Sequence, residues 1–517
     1  MPDIVLTTLN ARYIHSSLGL RYLLANMGEL QPVTSIEEFV IETRPIDIVE
    51  SLLNLEPKII GFGIYIWNVE QTGKVIGLLK SIRPDIRIVI GGPEASYEYD
   101  ATDIYCYADY LVTGAADLAF GSLCKQILNG NPPAEKTLKA DLPTLNELRF
   151  PYEWYTDEDI AHRVLYVEAS RGCPFKCEFC LSALDKTAWP FDIDGFLDHM
   201  QRLYDRGARR FKFVDRTFNL KADTSAKILD FFLRRLDNNL FLHFELIPDH
   251  LPEKLKYYIQ QFPPGALQFE IGIQTFNPQV QTLISRRQDN EKSQRNLAWL
   301  RTQSHAHLHT DLIVGLPGES LSSIADSFDQ LVKLNPHEIQ VGILKRLRGS
   351  PIVRHSQTYH MAYNPNPPYN VLSTSLIDFT TMQRLSRFAR YWDLIANSGR
   401  FVHTLPEILD QQPFQRFMRL CDWLFETTHQ THKISLNRLF DLLYEGLTQA
   451  LSVSPALTSE VLWRDYEHAG LKKAPHFMPD NAAPPAISSR GHGRPAPQGT
   501  ESMPQRQARH LKASAKH

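Results

Sequence analysis

The chain has 517 residues, 43% of them hydrophobic and 22% charged, with a formal net charge of −3 at neutral pH. Such a length implies several domains, and such a composition can bury ordinary soluble cores. A near-neutral balance excludes wholesale attraction to nucleic acid or to an anionic membrane surface, which needs a strongly basic field. No stretch approaches the run of about 20 apolar residues that spans a bilayer. The opening Met1-Pro2-Asp3-Ile4-Val5-Leu6 lacks the basic start and cleavage site of a secretory signal, so a cytoplasmic location is expected. Six cysteines are too few for a disulfide scaffold in so long a chain.

Residues 1–140 read as an α/β domain. Short apolar runs at 4–9, 36–41, 59–64, 86–90 and 110–112 alternate with amphipathic stretches such as 18–30 and 69–82. That alternation predicts a doubly wound, Rossmann-like parallel sheet with helices on both faces. Ligands of such sheets bind outside the strand carboxyl ends, which here carry the loops 10–17, 65–68 and 91–96. Periodicity lapses over 141–160, which predicts a linker. Over 161–351 six more strand patterns follow, at 164–168, 210–214, 242–246, 267–273, 308–314 and 338–344, with helix-like segments such as 193–203 and 224–236 between them. They predict a partial (β/α)6 TIM-like barrel with its working face at the strand carboxyl ends. Residues 352–474 read as a mainly helical domain, in which Tyr391, Trp392, His403 and Trp423 are expected to be core rather than a substrate cover. The stretch 475–517, rich in Pro, Gly, Ser, Arg and His, is expected to be a disordered tail, since it has little apolar surface to bury.

Cys106, Cys124 and Cys421 are isolated, whereas Cys173, Cys177 and Cys180 lie together in Glu168-Ala169-Ser170-Arg171-Gly172-Cys173-Pro174-Phe175-Lys176-Cys177-Glu178-Phe179-Cys180. The motif follows the first barrel strand, which places it on a loop at the working face. Three thiolates hold three irons of a cubane and leave the fourth open for chemistry, whereas four-cysteine clusters serve electron transfer. Structural zinc wants four ligands, usually as two close pairs, and no second pair exists. Arg171 and Lys176 are expected to favour the thiolate forms.

Cys-x3-Cys-x2-Cys with an aromatic before the last cysteine resembles the motif of the radical S-adenosylmethionine (SAM) superfamily. The resemblance implies a 4Fe-4S cluster on Cys173, Cys177 and Cys180, with the amino and carboxylate groups of SAM on the open iron. Electron transfer through the cluster would then cleave SAM to methionine and a 5′-deoxyadenosyl radical. Phe179 matches the aromatic that lies against adenine. Val214-Asp215-Arg216-Thr217-Phe218-Asn219 stands where the family has its SAM amino-group motif; the usual Gly-Gly-Glu is absent, which leaves a backbone or Asp215 contact. Glu270-Ile271-Gly272-Ile273-Gln274 is similar to the fourth-strand signature, with Gln274 near the ribose. Arg286, with Arg287 as the neighbouring option, falls where a partner of the SAM carboxylate is often placed. Gly315-Leu316-Pro317-Gly318-Glu319 is similar to the adenine-side turn, carrying Gly315 and Pro317.

An α/β domain ahead of such a barrel resembles the cobalamin-binding radical SAM class, in which the corrin lies over the strand ends and the nucleotide tail enters the sheet. Gly91-Gly92-Pro93-Glu94-Ala95-Ser96 resembles the glycine turn of that class, where backbone approaches the cofactor closely. Gly61 and Gly63 would leave room, and Tyr65-Ile66-Trp67-Asn68 ends its strand with aromatic and polar groups. His15 stands in the loop where many cobalamin proteins carry the cobalt-ligating His of Asp-x-His-x-x-Gly. Here Tyr13 replaces the Asp and Gly19 comes one position late, so a capping or corrin-edge role is expected instead. Ser16 and Ser17 can cap the next helix. Gly114-Ala115-Ala116-Asp117 replaces the frequent Gly-Glu-Gly-Glu. The likeness continues through Leu344-Lys345-Arg346-Leu347-Arg348-Gly349-Ser350-Pro351 into the helical domain.

The function so implied is methylation of an unactivated carbon by a cobalamin-dependent radical SAM enzyme. The alternatives are oxidative cyclisation or rearrangement, as in the anaerobic magnesium-protoporphyrin monomethyl ester cyclases of similar architecture, and a non-catalytic cobalamin or redox sensor. Methylthio transfer needs a second cluster on three N-terminal cysteines, and only Cys106 and Cys124 stand there. An external one-electron reductant of flavodoxin or ferredoxin type is the implied partner; no nucleic acid and no membrane span is expected.

Overall fold

The computed structural model describes residues 1–100, 102–185, 187–469, 471, 475–477 and 505–514. The chain divides into two compact units. One is Met1–Phe218 with Lys345–Arg354 and Tyr363–Asn370; the other is Asn219–Leu344 with His355–Ala362 and Val371–His517.

In the first unit β1 (Ile4–Asn10), β2 (Thr34–Val40), β3 (Ile59–Gly63), β4 (Arg87–Gly91), β5 (Tyr110–Gly114) and β6 (Thr137–Ala140) form one sheet in the order β2-β1-β3-β4-β5-β6. Every pairing is parallel. β1 is buried along its whole length, as a central strand covered on both faces must be. Val5 and Leu9 pack toward helices Pro45–Leu53 and Val69–Ile82, whereas Ile4 and Leu6 pack toward Leu18–Ala25 and Ala116–Leu128. The sheet is therefore doubly wound, and its order reverses at β1, where β2 lies on one side and β3 on the other.

Three details differ from the sequence reading. β6 was not expected: it is a half-exposed edge strand with little hydrophobic signal, and it is recruited by pairing Leu111 with Thr137 and Val112 with Leu138. The helix expected over 18–30 stops at Ala25, and a tighter turn, Gly28–Val33, carries Pro32. The stretch 141–160, expected as a linker, is packed. Tyr22, Leu145, Leu148 and Phe191 form a small core, and Tyr152 and Tyr155 are buried. Tyr152 Oη donates to Glu168 O (2.9 Å) and Tyr155 Oη to Tyr166 O (2.6 Å). Irregular spacing hides such a core from a periodicity argument without preventing burial.

β7 (Leu165–Val167) follows. Two short strands, β8 (Ser170–Arg171) and β9 (Trp189–Pro190), then pair antiparallel, and β10 (Arg210–Phe213) pairs parallel to β7 after the helix Ile193–Asp205. In the second unit β11 (Phe241–Leu246), β12 (Leu267–Gln274), β13 (His307–Val314) and β14 (Glu338–Ile343) run parallel in sequence order. Helices Glu253–Ile259, Asn290–Gln303 and Leu321–Leu334 lie between them. These are the six barrel strands expected.

Five helices of the C-terminal region, from Phe379–Ile395 to Pro455–His468, follow. Tyr391 and Trp392 are buried core, with the Phe328 and Phe388 rings at 4.7 and 6.3 Å from Trp392. The tail expected to be disordered contains a helix, Gln505–Ser514. Arg506 pairs with Asp393 at 2.6 Å, and the His510 ring lies 5.4 Å from His307. It docks through ion pairs and polar burial, for which low apolar content is no obstacle. The rest of that tail, apart from 475–477, lies outside the described residues. Among the described residues no helix is long and apolar enough to cross a membrane.

The packed stretch is tied to the sheet by Arg21, whose Nη2 lies 2.9 Å from Glu38 and 2.8 Å from Asp159, all three side chains at most 5% exposed. Arg163 Nη1 also reaches Glu38 (3.0 Å) and Asp159 (3.5 Å), so removing Arg21 leaves two buried carboxylates to share one cation. Arg21→Ala should therefore lower the unfolding free energy by about 3 kcal/mol, the lower end for a broken buried pair, read from the urea transition by circular dichroism; a loss under about 1 kcal/mol would show Arg21 to be dispensable.

Candidate functional site

β3, β4 and β5 end side by side in Gly63, Gly91 and Gly114, and a cavity of about 850 Å³ opens at these ends. That is near the top of the roughly 300–1,000 Å³ usual for ligand pockets. Its sheet side carries almost no side chains, and the bareness is enforced by close packing. Gly92 has φ +105°, and a Cβ there would run into Ile64 O. At Gly61 a Cβ would stand 2.7 Å from Phe120 Cζ. A broad ligand can thus lie against backbone, with a narrower part entering between the strand ends.

Of the residues expected to touch cobalamin, Tyr65, Gly91, Gly92 and Ser96 line this cavity. Ser96 Oγ donates to Gly92 O (2.8 Å), which ties the glycine turn to itself. Asn68, fully buried, holds the Tyr65 turn: its Nδ2 donates to Thr8 Oγ1, Leu9 O and Gly63 O, each at 3.1 Å, and its Oδ1 accepts the Tyr65 N–H at 2.8 Å. His15 is not among the lining residues. Its Nδ1 lies 2.7 Å from Tyr166 Oη, its backbone bridges Val164, and burial lowers its pKa. Ser17 caps the following helix by accepting Leu20 N–H, whereas Ser16 Oγ donates to Val164 O. Sequence reasoning missed Tyr22, Tyr97 and Leu142, which also line the cavity; only the sheet topology brings them there.

The cysteine loop leaves β8 and returns through β9. Gly172 has φ +93°, and a Cβ there would collide with Thr187 O, so the entry turn requires glycine. Cys173 N–H donates to Asp185 O (3.3 Å) and Cys180 N–H to Cys177 O (3.0 Å). Leu181, Leu184, Asp185 and Thr187 of the same loop, with Arg171, line the 850 Å³ cavity. Part of the cysteine loop thus walls the glycine-lined space, although Cys173, Cys177 and Cys180 themselves are not among the lining residues. Among the described residues no three His, Cys, Asp or Glu groups converge as they would on a single ion. Three thiols on one loop with no fourth cysteine beside them are the donor set of a cubane with one open iron rather than of a four-ligand zinc site, and in that respect the residues fit the cluster. Cys421 is buried in the helix Pro413–Thr428.

Two expectations change in this loop. Arg171 does not hold free charge for the thiols: Nη1 pairs with Asp117 (3.0 Å) and Nη2 with Glu168 (2.7 Å). Lys176 is exposed, and burial pushes the Cys173 thiol up, with Arg216 among the groups opposing that rise. The Asp215 carboxylate is turned to the motif's backbone: it accepts Ala169 N–H (3.0 Å) and Ser170 Oγ–H (2.6 Å), and burial pushes its pKa up to about 7. Phe179 is half-buried on the loop.

In the second unit β12 shifts register between Gly272 and Gln274, and Gln274 takes φ +69°. Arg286 Nη2 donates to Gly272 O and its Nε to Gln288 Oε1 (3.0 Å). The irregularity thereby brings Gln274 and Arg286 together, while Gln274 Oε1 is buried without a hydrogen bond. Gly315 (φ +88°) and buried Pro317 form the turn after β13. The Glu319 carboxyl, pushed up to about 7 by burial, accepts Thr275 Oγ1–H (2.5 Å) and so ties that turn to the residue after Gln274.

Residues 4–123 match the B12 binding domain, 167–331 the radical SAM superfamily, and 357–487 a protein family of unknown function, DUF4080. The chain is 22% identical over 346 residues to the uncharacterised methyltransferase PH0819 of Pyrococcus horikoshii, covering 62% of this chain and 73% of that one. It is 21% identical over 337 residues to the cobalamin-dependent radical SAM methyltransferase TokK of Streptomyces tokunonensis, covering 56% of this chain and 47% of that one. Its fold is similar to that of the radical SAM methyltransferase TsrM from Kitasatospora setae, solved with cobalamin and a 4Fe-4S cluster. The TM-score is 0.56 at 16% identity, over 91% of this chain and 100% of that one. The chain thus carries a B12-binding domain followed by a radical SAM domain, and the cofactors that go with these two domains are cobalamin, a 4Fe-4S cluster and S-adenosylmethionine.

Proposed function

We propose that the enzyme methylates an unactivated carbon of its substrate. The observation that carries this reading is the shared cavity, walled on one side by Gly63, Gly91 and Gly114 and on another by Leu181 and Leu184 of the cysteine loop. Relatives named as methyltransferases support it. When bound, the cluster and SAM supply a hydrogen-abstracting radical and cobalamin supplies the methyl group.

The chain's own part is to hold and to enclose. Cys173, Cys177 and Cys180 hold three irons and leave one open. In the first unit Phe179 would serve the adenine; in the second unit, taken by itself, Gln274 would serve the ribose and Arg286 the carboxylate, with Gly315 and Pro317 on the turn after β13. Asp215 acts by fixing Ala169 and Ser170, the two residues before Arg171. Tyr65, Gly91, Gly92 and Ser96 would cradle the corrin, and His15, which does not line the cavity, would stand apart from cobalt. The apolar side chains Leu181 and Leu184 exclude water from the space where a carbon radical must persist. A flavodoxin or ferredoxin supplies the electron, in the cytoplasm.

Anaerobically reconstituted protein should hold about four irons per chain. Replacing any one of Cys173, Cys177 or Cys180 by Ala should abolish reductive SAM cleavage, and Cys421→Ala should leave it intact. Loss of the cluster in Cys421→Ala would mean a fourth protein ligand and no open iron.

His15→Ala should bind cobalamin nearly as well as the parent and give the same Co(II) electron paramagnetic resonance (EPR) spectrum. Nitrogen splitting present in the parent and lost in the variant would make His15 a cobalt ligand.

The reaction itself is tested by stoichiometry. Each methylated product should consume two SAM, giving one 5′-deoxyadenosine and one S-adenosylhomocysteine, and methyl-deuterated SAM should label the product. 5′-Deoxyadenosine with an oxidised or cyclised product and no S-adenosylhomocysteine would assign a cyclase instead; failure to cleave SAM under strong reductant would point to a sensor.

A further inference from the structure

Lys345–Arg354 follows β14 in the chain yet packs within the first unit. We propose that this ten-residue segment is a strap that sets the corrin loop and the cysteine loop against each other, with Glu178 the positioning residue of the cysteine loop and Arg354 its anchor.

Its first half grips the loop after β4. Arg346 gives both terminal nitrogens to Glu98 Oε2 (3.0 and 2.6 Å). Arg348 Nη1 donates to Glu98 O (2.7 Å), and its Nε lies 3.1 Å from Glu94 Oε1, which also accepts Tyr369 Oη–H at 2.6 Å. Gly349, at φ +79°, lies flat on the Tyr97 ring, where any Cβ would collide. Pro93, Ser96 and Tyr97 of that loop line the cavity.

The second half grips the cysteine loop. Ile352 N–H donates to Glu178 O (3.0 Å), and Arg354 presents Nε and Nη2 to the two Glu178 oxygens at 2.7 and 2.5 Å. Glu178 lies between Cys177 and Cys180 with its side chain only 6% exposed. A buried carboxylate beside three thiolates adds negative charge where the site already concentrates it, and is costly unless paired. Its value here is as a two-pronged attachment point for a guanidinium. None of residues 345–354 lines the cavity, so the strap acts from behind both walls.

The proposal rests on the three cofactors and not on methyl transfer, so its test reads the cofactors. Arg354→Ala, Arg354→Lys and Arg346→Ala are loaded anaerobically with cluster and cobalamin, and iron and cobalamin contents are measured. The reduced-cluster EPR signal with SAM is then recorded with and without cobalamin. Cobalamin should shift the signal in the parent, and the shift should vanish in Arg354→Ala and be only partly restored by Lys, which lacks the fork. Arg346→Ala is decisive, because its partner Glu98 lies in the corrin loop: it should retain iron yet lose the shift. A parent signal indifferent to cobalamin, or a shift preserved in Arg346→Ala, would overturn the strap.

Discussion

A guanidinium buried between layers must be matched by carboxylates, and the arrangement of the first unit follows from how Arg171 is matched. Asp117 reaches it from the first turn of the helix after β5, and Glu168 from the end of the strand preceding the cysteines. The Tyr22 ring lies 4.7 Å from its central carbon. One side chain therefore joins the carboxyl end of the sheet to the ribbon that carries Cys173. Pairing each carboxylate with the same cation is what permits three charges to sit where water is scarce, and it places the cysteine loop as a wall of the cavity rather than as a free flap.

The second constraint is steric. A planar macrocycle can lie on strand ends only where no side chain rises from them. The glycines at the ends of β3, β4 and β5 meet that need, and packing holds some positions bare: Ala140 O stands where a Cβ of Gly114 would come, and Ile64 O where one of the neighbouring Gly92 would. In the second unit, backbone irregularity is put to use in a similar way. The register shift in β12 turns Gln274 and Arg286 to one spot, and Thr275 with Glu319 fastens the next strand's turn beside it. Positioning residues such as Asn68, Asp215 and Glu319 are all buried polar groups whose hydrogen bonds fasten loops to neighbouring strands and turns. Rigid cofactor loops need such anchors, because loop backbone has no ladder of its own.

Local pattern alone determined much. Apolar runs alternating with helical spacing determined both parallel sheets, since parallel strands buried on two faces cannot be written any other way. The three cysteines within one short loop, with no second pair, pointed to an open cluster. Glycines after strands 3 and 4 marked the turns that line the cavity.

Tertiary structure decided the rest, for reasons of distance along the chain. His15 and Tyr166 are 151 residues apart, and only folding brings the Tyr166 hydroxyl to His15 Nδ1 and leaves His15 outside the cavity lining. The spacing of Arg171 and Lys176 to the cysteines suggested charge for the thiols, but Asp117, 54 residues away, takes up the guanidinium. β6 and the docked helix Gln505–Ser514 bury too little apolar surface to show in a periodicity; one is recruited by strand pairing and the other by ion pairs. Glu178 reads in sequence as a polar residue between cysteines, and only folding brings Arg354, 176 positions later, onto it. Sequence pattern reports burial and local geometry. Which buried charge meets which is a property of the folded chain, because the cost of burying a charge is offset by whichever opposite charge the topology delivers.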